Sequence, residues 1–300
     1  MISAGYEDIP IIALTTNKSL HEQPGFQPNT NQFIYKMMMS LIFTDAISDM
    51  YYAIACREVR SGESLTLTNK YIALLDNGQL PLEKKPVLEK LKEAVGKFNA
   101  IKTTDREMPK VGIVGEIYVK YNAFSNNYVN NWLMKQGLEV VVPSLLEFFS
   151  SWFVGANVQV KSNLKRRDGS WLLTRILEPY SQIFINKAAD VLENFRYYRP
   201  HHSIRKVAEK ANKILSLTHQ YGEAWLIAGE IGTMMEDGVN NVLCLQPFGC
   251  IANQVVAKGV SKRIFQTYPE LNMLFLDMDH GISEVNFFNR LHFFVDRAFG

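Results

Sequence analysis

Asn240 to Gly259 reads NNVLCLQPFGCIANQVVAKG, and this stretch decides the fold. Val242 to Leu245 is an unbroken apolar run of the kind that fills a strand buried on both faces. Gln246-Pro247-Phe248-Gly249 interrupts it with turn residues. Cys250 follows, just ahead of a short helix that Gly259 stops. A thiol in that position is expected to face backbone N–H groups and the positive end of the helix dipole, which favour thiolate. Strand, turn and helix in this order are the start of a parallel α/β unit.

The same pattern recurs on both sides. Upstream, Val111 to Val114 is an apolar run ended by Gly115-Glu116. After a loop with Asn126 and Asn127, a helix is expected from about Tyr128 to Gln136, capped by Gly137. Glu139 to Pro143 is the next strand, and Ser144 opens a helix to about Phe153. Strand, crossover and strand have the length of a βαβ unit. Downstream, a helix spans Ser261 to Tyr268, and Asn272 to Asp277 is a strand ending in Asp277-Met-Asp279-His-Gly281. Ser283 is the expected cap of a closing helix, Glu284 to Phe299. Gly222-Glu223 opens a helix through Met235. Trp171 to Tyr198 reads as helix. His201-His202 precede another helix from Ser203 to about Thr218, and adjacent histidines make a poor chelate. Lys165 to Gly169 is read as a solvated basic turn.

Residues 31–107 change period. Phe33, Ile34, Met37, Met38, Leu41 and Ile42, then Ile47, Met50, Tyr51 and Ile54, follow helical spacing up to Gly62. Leu65 to Leu75 forms a second helix, and Leu88, Leu91, Val95, Phe98 and Ile101 line a third. The methionines read as core filler, and Cys56 as an ordinary small residue on the first helix. Residues 9–16 resemble a lone strand. Residues 1–30 are therefore read as a terminal strand and loop, the tail of a domain lying outside this chain. The expected organisation is 1–30, a helical segment 31–107, and a Rossmann-like α/β domain 108–300 with a mostly parallel sheet flanked by helices.

Totals limit the function. Thirty-two basic and 30 acidic side chains leave a formal net charge of +2, too little field for nucleic acid or an anionic membrane. No apolar run reaches the roughly 20 residues of a membrane-spanning helix. The first residues lack a signal-peptide pattern. Three cysteines, Cys56, Cys244 and Cys250, are too few and too odd in number for a disulfide framework, so a reducing, cytoplasmic setting is expected. Neither G-x-G-x-x-G, nor a P-loop, nor a G-x-S-x-G elbow is present.

Parallel strands bring their carboxyl-end loops to one rim, where open α/β sheets bind ligands. Glu116, Cys250, Asp277 and Asp279 are the candidates there, with Asn126, Asn253 and Ser283 at adjoining helix starts. Asp277 and Asp279 have the spacing of a D-x-D metal pair, which leaves a divalent-metal-dependent enzyme as one alternative.

Four ordered blocks carry a family resemblance. They are Val111 to Lys120 with Asn126-Asn127; Gly222 to Trp225 with Gly229-Glu230; Gln246 to Cys250 with Asn253 and Lys258-Gly259; and Asp277 to Arg290. Through them the chain resembles the C-terminal portion of acyl-CoA dehydratase activase-related proteins, also called CoA-substrate-specific enzyme activases. These are relatives of 2-hydroxyacyl-CoA dehydratase subunits and double-cubane-cluster proteins. The resemblance implies a module that helps hold an iron–sulfur cluster, of the 4Fe–4S type, for low-potential electron transfer to an acyl-CoA. Cys250 would be its metal ligand, with Glu116, Asn126, Gln246, Asn253, Asp277, Asp279 and Ser283 lining the site or supporting it. Ala252, Gln254 and His280 depart from the family pattern, which has Pro, His and Pro there. One thiolate cannot hold a cluster alone. The remaining ligands are expected from a missing N-terminal module or a second subunit, with an ATP-dependent activator as electron donor, and the isolated chain is expected to be inactive. A non-catalytic docking module for that activator or subunit is the other alternative.

Overall fold

The computed structural model describes residues 30–279, 281 and 283–300. The strand expected at 9–16 and the residue His280 lie outside the described residues. The helical part begins with α1 (Thr30–Ala55), α2 (Glu63–Asp76) and α3 (Lys84–Ala100). Their apolar stripes meet in one cluster, where Phe43, Ile47, Met50 and Ile54 of α1 are buried with Tyr71, Leu91 and Phe98. The methionine stripe is core, as its spacing predicts. Gly62 has a different role from the one expected. α1 stops at Ala55, and Gly62, with φ of 86°, opens α2 instead. Arg57 turns inward just past α1 and pairs with Glu139 at 2.7 Å.

Four strands follow: β1 (Lys110–Gly115), β2 (Glu139–Val141), β3 (Asn241–Pro247) and β4 (Asn272–Met278). They form an all-parallel sheet in the order β2-β1-β3-β4. The order reverses between β1 and β3, the arrangement of a doubly wound Rossmann-like α/β fold. The apolar runs of β1 and β3 are buried on both faces because helices cover both. Val111, Ile113, Leu243, Leu245 and Leu276 pack under α5 (Val129–Lys135) and α11 (Glu284–Ala298). Val114, Val242 and Cys244 face the other layer, formed by α8 (Ile204–Asn212), α9 (Trp225–Glu236) and α10 (Ser261–Thr267).

Between β2 and β3 the chain makes two long helices, α6 (Leu145–Lys161) and α7 (Gly169–Leu192), before α8 and α9. α6 runs past the expected end at Phe153, and α8 stops short of Thr218. Ser144 caps α6 as expected, accepting from Glu147 N at 3.2 Å. The Lys165 turn is exposed, and Asp168 within it caps α7 through Trp171 N. α7 packs with α1 and α3 in one cluster, and α1 also packs on β2, which joins the helical part to the sheet. No described helix is long and apolar enough to cross a membrane.

Candidate functional site

The switch point between β1 and β3 is where a doubly wound sheet opens a crevice. Gly115 ends β1 with φ of 127°, and a Cβ there would lie 1.9 Å from the Leu245 carbonyl oxygen. Only glycine lets the two strands stay this close while the chain turns away. Glu116 N then donates to that carbonyl at 2.9 Å. α4 (Ile117–Tyr121), a five-residue helix with no visible period in the sequence, starts here. The Glu116 carboxylate caps it through Val119 N at 2.9 Å, and Glu223 accepts from Ile117 N at 2.8 Å. The N–H groups that would face a phosphate are therefore filled by the protein's own carboxylates. This agrees with the missing phosphate-loop motifs.

After β3, Cys250 N donates to Pro247 O at 3.2 Å across a turn in which Gly249 takes φ of 77°. The helix that follows is not an α-helix. Ala252–Lys258 is a π-helical turn, and Gly259 N reaches back five residues to Gln254 O at 3.0 Å. A turn of this width is uncommon and is often found at functional sites. Here it puts Gln254 and Lys258 on one carboxylate. Lys258 Nζ donates to both oxygens of Asp277, at 2.9 and 2.8 Å, and Gln254 Nε2 to Oδ1 at 3.3 Å. Gln246, opposite Asp277 in the β3–β4 register, donates to the same oxygen. Burial raises the Asp277 carboxyl, but the hydrogen bonds from Lys258 and Gln246 outweigh it and hold it below its ordinary value.

Asn253 is fully buried between two thiols. Its Nδ2 donates to Cys250 Sγ at 3.2 Å, and its Oδ1 lies 4.0 Å from Cys244 Sγ. The half-buried Cys250 thiol thus meets a side-chain amide from within the π turn, rather than the backbone N–H groups the sequence suggests. Burial pushes the Cys244 thiol far up. Cys56 is half-buried one residue beyond α1, and burial pushes it up to about 11.

The remaining candidates divide. Asn126 is buried and ties α4 to α5, donating to Val119 O at 2.9 Å and accepting from Val129 N at 3.3 Å. Asp279 and Ser283 are exposed beyond β4. Ser283 holds the N-cap position of α11 without a side-chain cap hydrogen bond. The structure brings Gln246 to Asp277 and Asn253 to Cys250, and it places Glu116 at the α4 N-cap and Asn126 between α4 and α5. Among the described residues no group of three or more His, Cys, Asp or Glu side chains is arranged to hold a metal ion. The rim residues alone do not make an iron–sulfur site: Cys250 offers one thiolate, and Cys244 lies behind Asn253.

Sequence reasoning did not assign roles to Glu223 or Lys258, nor to a buried ion pair, Lys120 Nζ to Glu230 Oε1 at 2.7 Å. Glu230 carried a signal. It is the one charge in the apolar run Trp225 to Met235, and a charge there needs a buried partner.

The rim has one further property. Tyr118, Phe124 and Tyr128 follow β1, Tyr221 precedes α9, Phe248, Ile251 and Val255 follow β3, and Val285 follows β4. All eight are more than half exposed. Their segments all adjoin the carboxyl edge of the parallel sheet, and exposed large apolar side chains in such segments are candidates for an interaction surface.

Comparison of the chain with protein-family profiles, curated proteins and solved structures gives no significant match. The fold and the rim define the class: a doubly wound parallel α/β module with an apolar carboxyl-edge face.

Proposed function

We propose that this chain is a docking module whose carboxyl-edge face seats a partner polypeptide. The eight exposed apolar side chains in the segments at the carboxyl edge carry this reading. The polar groups at the same edge support it. Glu116, Glu223 and Asp277 are each engaged by neighbouring N–H groups or by Lys258, as in a surface built to be covered rather than to do acid–base work. The partner follows from the family resemblance: an ATP-dependent activator, or a second subunit of a 2-hydroxyacyl-CoA dehydratase-like system. Mixing the chain with such an activator and measuring sedimentation should give a complex. Phe248→Asp should abolish it while leaving the unfolding midpoint unchanged. A complex that forms equally well with Phe248→Asp would falsify the reading.

A second reading rests on Cys250 itself. Its half-buried thiol lies on the turn between the exposed Phe248 and Ile251, where a docked segment carrying further thiolates would meet it. In that composite site Cys250 supplies one ligand to an iron–sulfur cluster, and Asn253 orients the sulfur. Anaerobic reconstitution of the complex should load iron in a Cys250-dependent way. Equal iron content in Cys250→Ser would sink this second reading without touching the first.

A further inference from the structure

Two adjoining cavities of about 70 and about 110 Å³ lie where α1, α6, α7 and α9 meet, beyond the carboxyl end of β2. Ala46, Glu147, Leu192 and His201 line both. Glu147 Oε1 and Glu230 Oε2 are buried at the smaller one, and neither has a hydrogen-bond partner in the protein. Glu230 is only 2% exposed. An unpaired carboxylate oxygen at such depth is costly, so both oxygens call for a donor. Their polar neighbours are already engaged. His201 pairs with Asp49 at 2.9 Å and His202 with Asp237 at 2.9 Å, while Asp45 accepts from Leu145 N and Leu146 N. Lys120 serves the other oxygen of Glu230.

We propose that this paired cavity binds a small primary ammonium compound with a short apolar chain, its N–H groups donating to Glu147 Oε1 and Glu230 Oε2. Three features choose that chemistry. Once Glu147 gives up the proton that burial lets it keep, both free oxygens are acceptors, so the ligand must be a donor, and an ammonium group has several N–H bonds and the complementary charge. A divalent ion needs a larger set of converging oxygens than is assembled here. The larger cavity offers Ile42, Leu146, Ile185 and Leu192 to an alkyl chain. Burial, with Glu230 adding to it, pushes the Glu147 carboxyl up to about 8, and a bound cation would oppose that shift.

Calorimetry with n-butylammonium chloride is the test, with n-butanol and ammonium chloride as the uncharged and chainless controls. Saturable binding of n-butylammonium is expected, at least about tenfold tighter than either control. Glu147→Gln should weaken it by a similar factor. Ala46→Val, which narrows the shared wall and leaves the charges alone, should weaken it as well and serves if Glu147→Gln fails to fold. No saturable binding, or n-butanol binding as tightly as n-butylammonium, would overturn the proposal. The cavity would then hold only water, a shared proton between the two carboxyls, or apolar solutes. Unchanged affinity in either folded variant would overturn it too.

Discussion

Burial pushes the Glu147 carboxyl up to about 8 from an ordinary value of 4.5; Glu230 and Asp45 add to the shift, while Lys120 and His201 oppose it. The native state therefore keeps a proton that the unfolded chain releases near pH 4.5. This contribution to stability is complete below about pH 4.5 and is lost as pH rises toward 8. Asp45, raised to about 6 chiefly by burial, acts in the same sense at lower pH. So does His201, where Asp49 outweighs burial and raises the imidazole. Urea unfolding should show stability falling from pH 5 to pH 8, and Glu147→Gln should flatten that slope. An unchanged slope would place the proton elsewhere. Gly115 gives a purely steric expectation. Gly115→Ala drives a methyl into the Leu245 carbonyl at a positive φ, and backbone cannot yield as a side chain can. A loss of more than about 3 kcal/mol is expected in chemical denaturation. Gly115 could be read from the sequence as a strand end, but its contact with Leu245 could not, because 130 residues separate the two strands that meet there.

Among the elements, the α4–α9 contact turns on the Lys120–Glu230 pair, with both side chains almost fully buried. Lys120→Met leaves the Glu230 carboxylate without its cation and should cost about 3–5 kcal/mol. The double variant Lys120→Met with Glu230→Leu should recover much of that loss, because removing both charges removes the desolvation penalty too. Equal losses in the single and double variants would show that the charges do not act as a pair. α9 also packs closely on α8. A Cβ at Gly229 would stand 2.5 Å from the Val207 carbonyl oxygen. Elements with a strong period or an unbroken apolar run, α1, α3 and β1 among them, were legible from the sequence because their apolar residues match the surface they bury. α4 was not, since five residues cannot display a period. The π-helical turn was not either, because its width depends on Gln254 and Lys258 both reaching Asp277 on another strand.

For the whole molecule, the joint between the helical part and the sheet decides how it unfolds. α1 packs on β2, α6 and α7, and Glu139 at the start of β2 receives Arg57 at 2.7 Å and Arg199 at 3.5 Å. The helical part and the sheet should therefore melt together. Trp132, Trp152, Trp171 and Trp225 all lie outside the first three helices, so their fluorescence reports the remainder of the chain, whereas far-ultraviolet circular dichroism reports every helix. Coincident transitions are expected. A helical signal that survives the fluorescence transition would show that α1 to α3 fold independently.

Local pattern was enough for the parallel α/β class, for most strands and helices, and for the rim as a meeting place of strand-end loops. These follow from periods of burial and from turn residues, which act over a few positions. The partners of each polar side chain were settled only when distant segments met. Asn253 between two thiols, Lys258 on Asp277, Glu223 at the start of α4 and Glu230 on Lys120 all join segments separated in sequence or by a turn of unusual width. Burial makes each of those pairings necessary, and burial is a property of the folded chain rather than of any stretch within it.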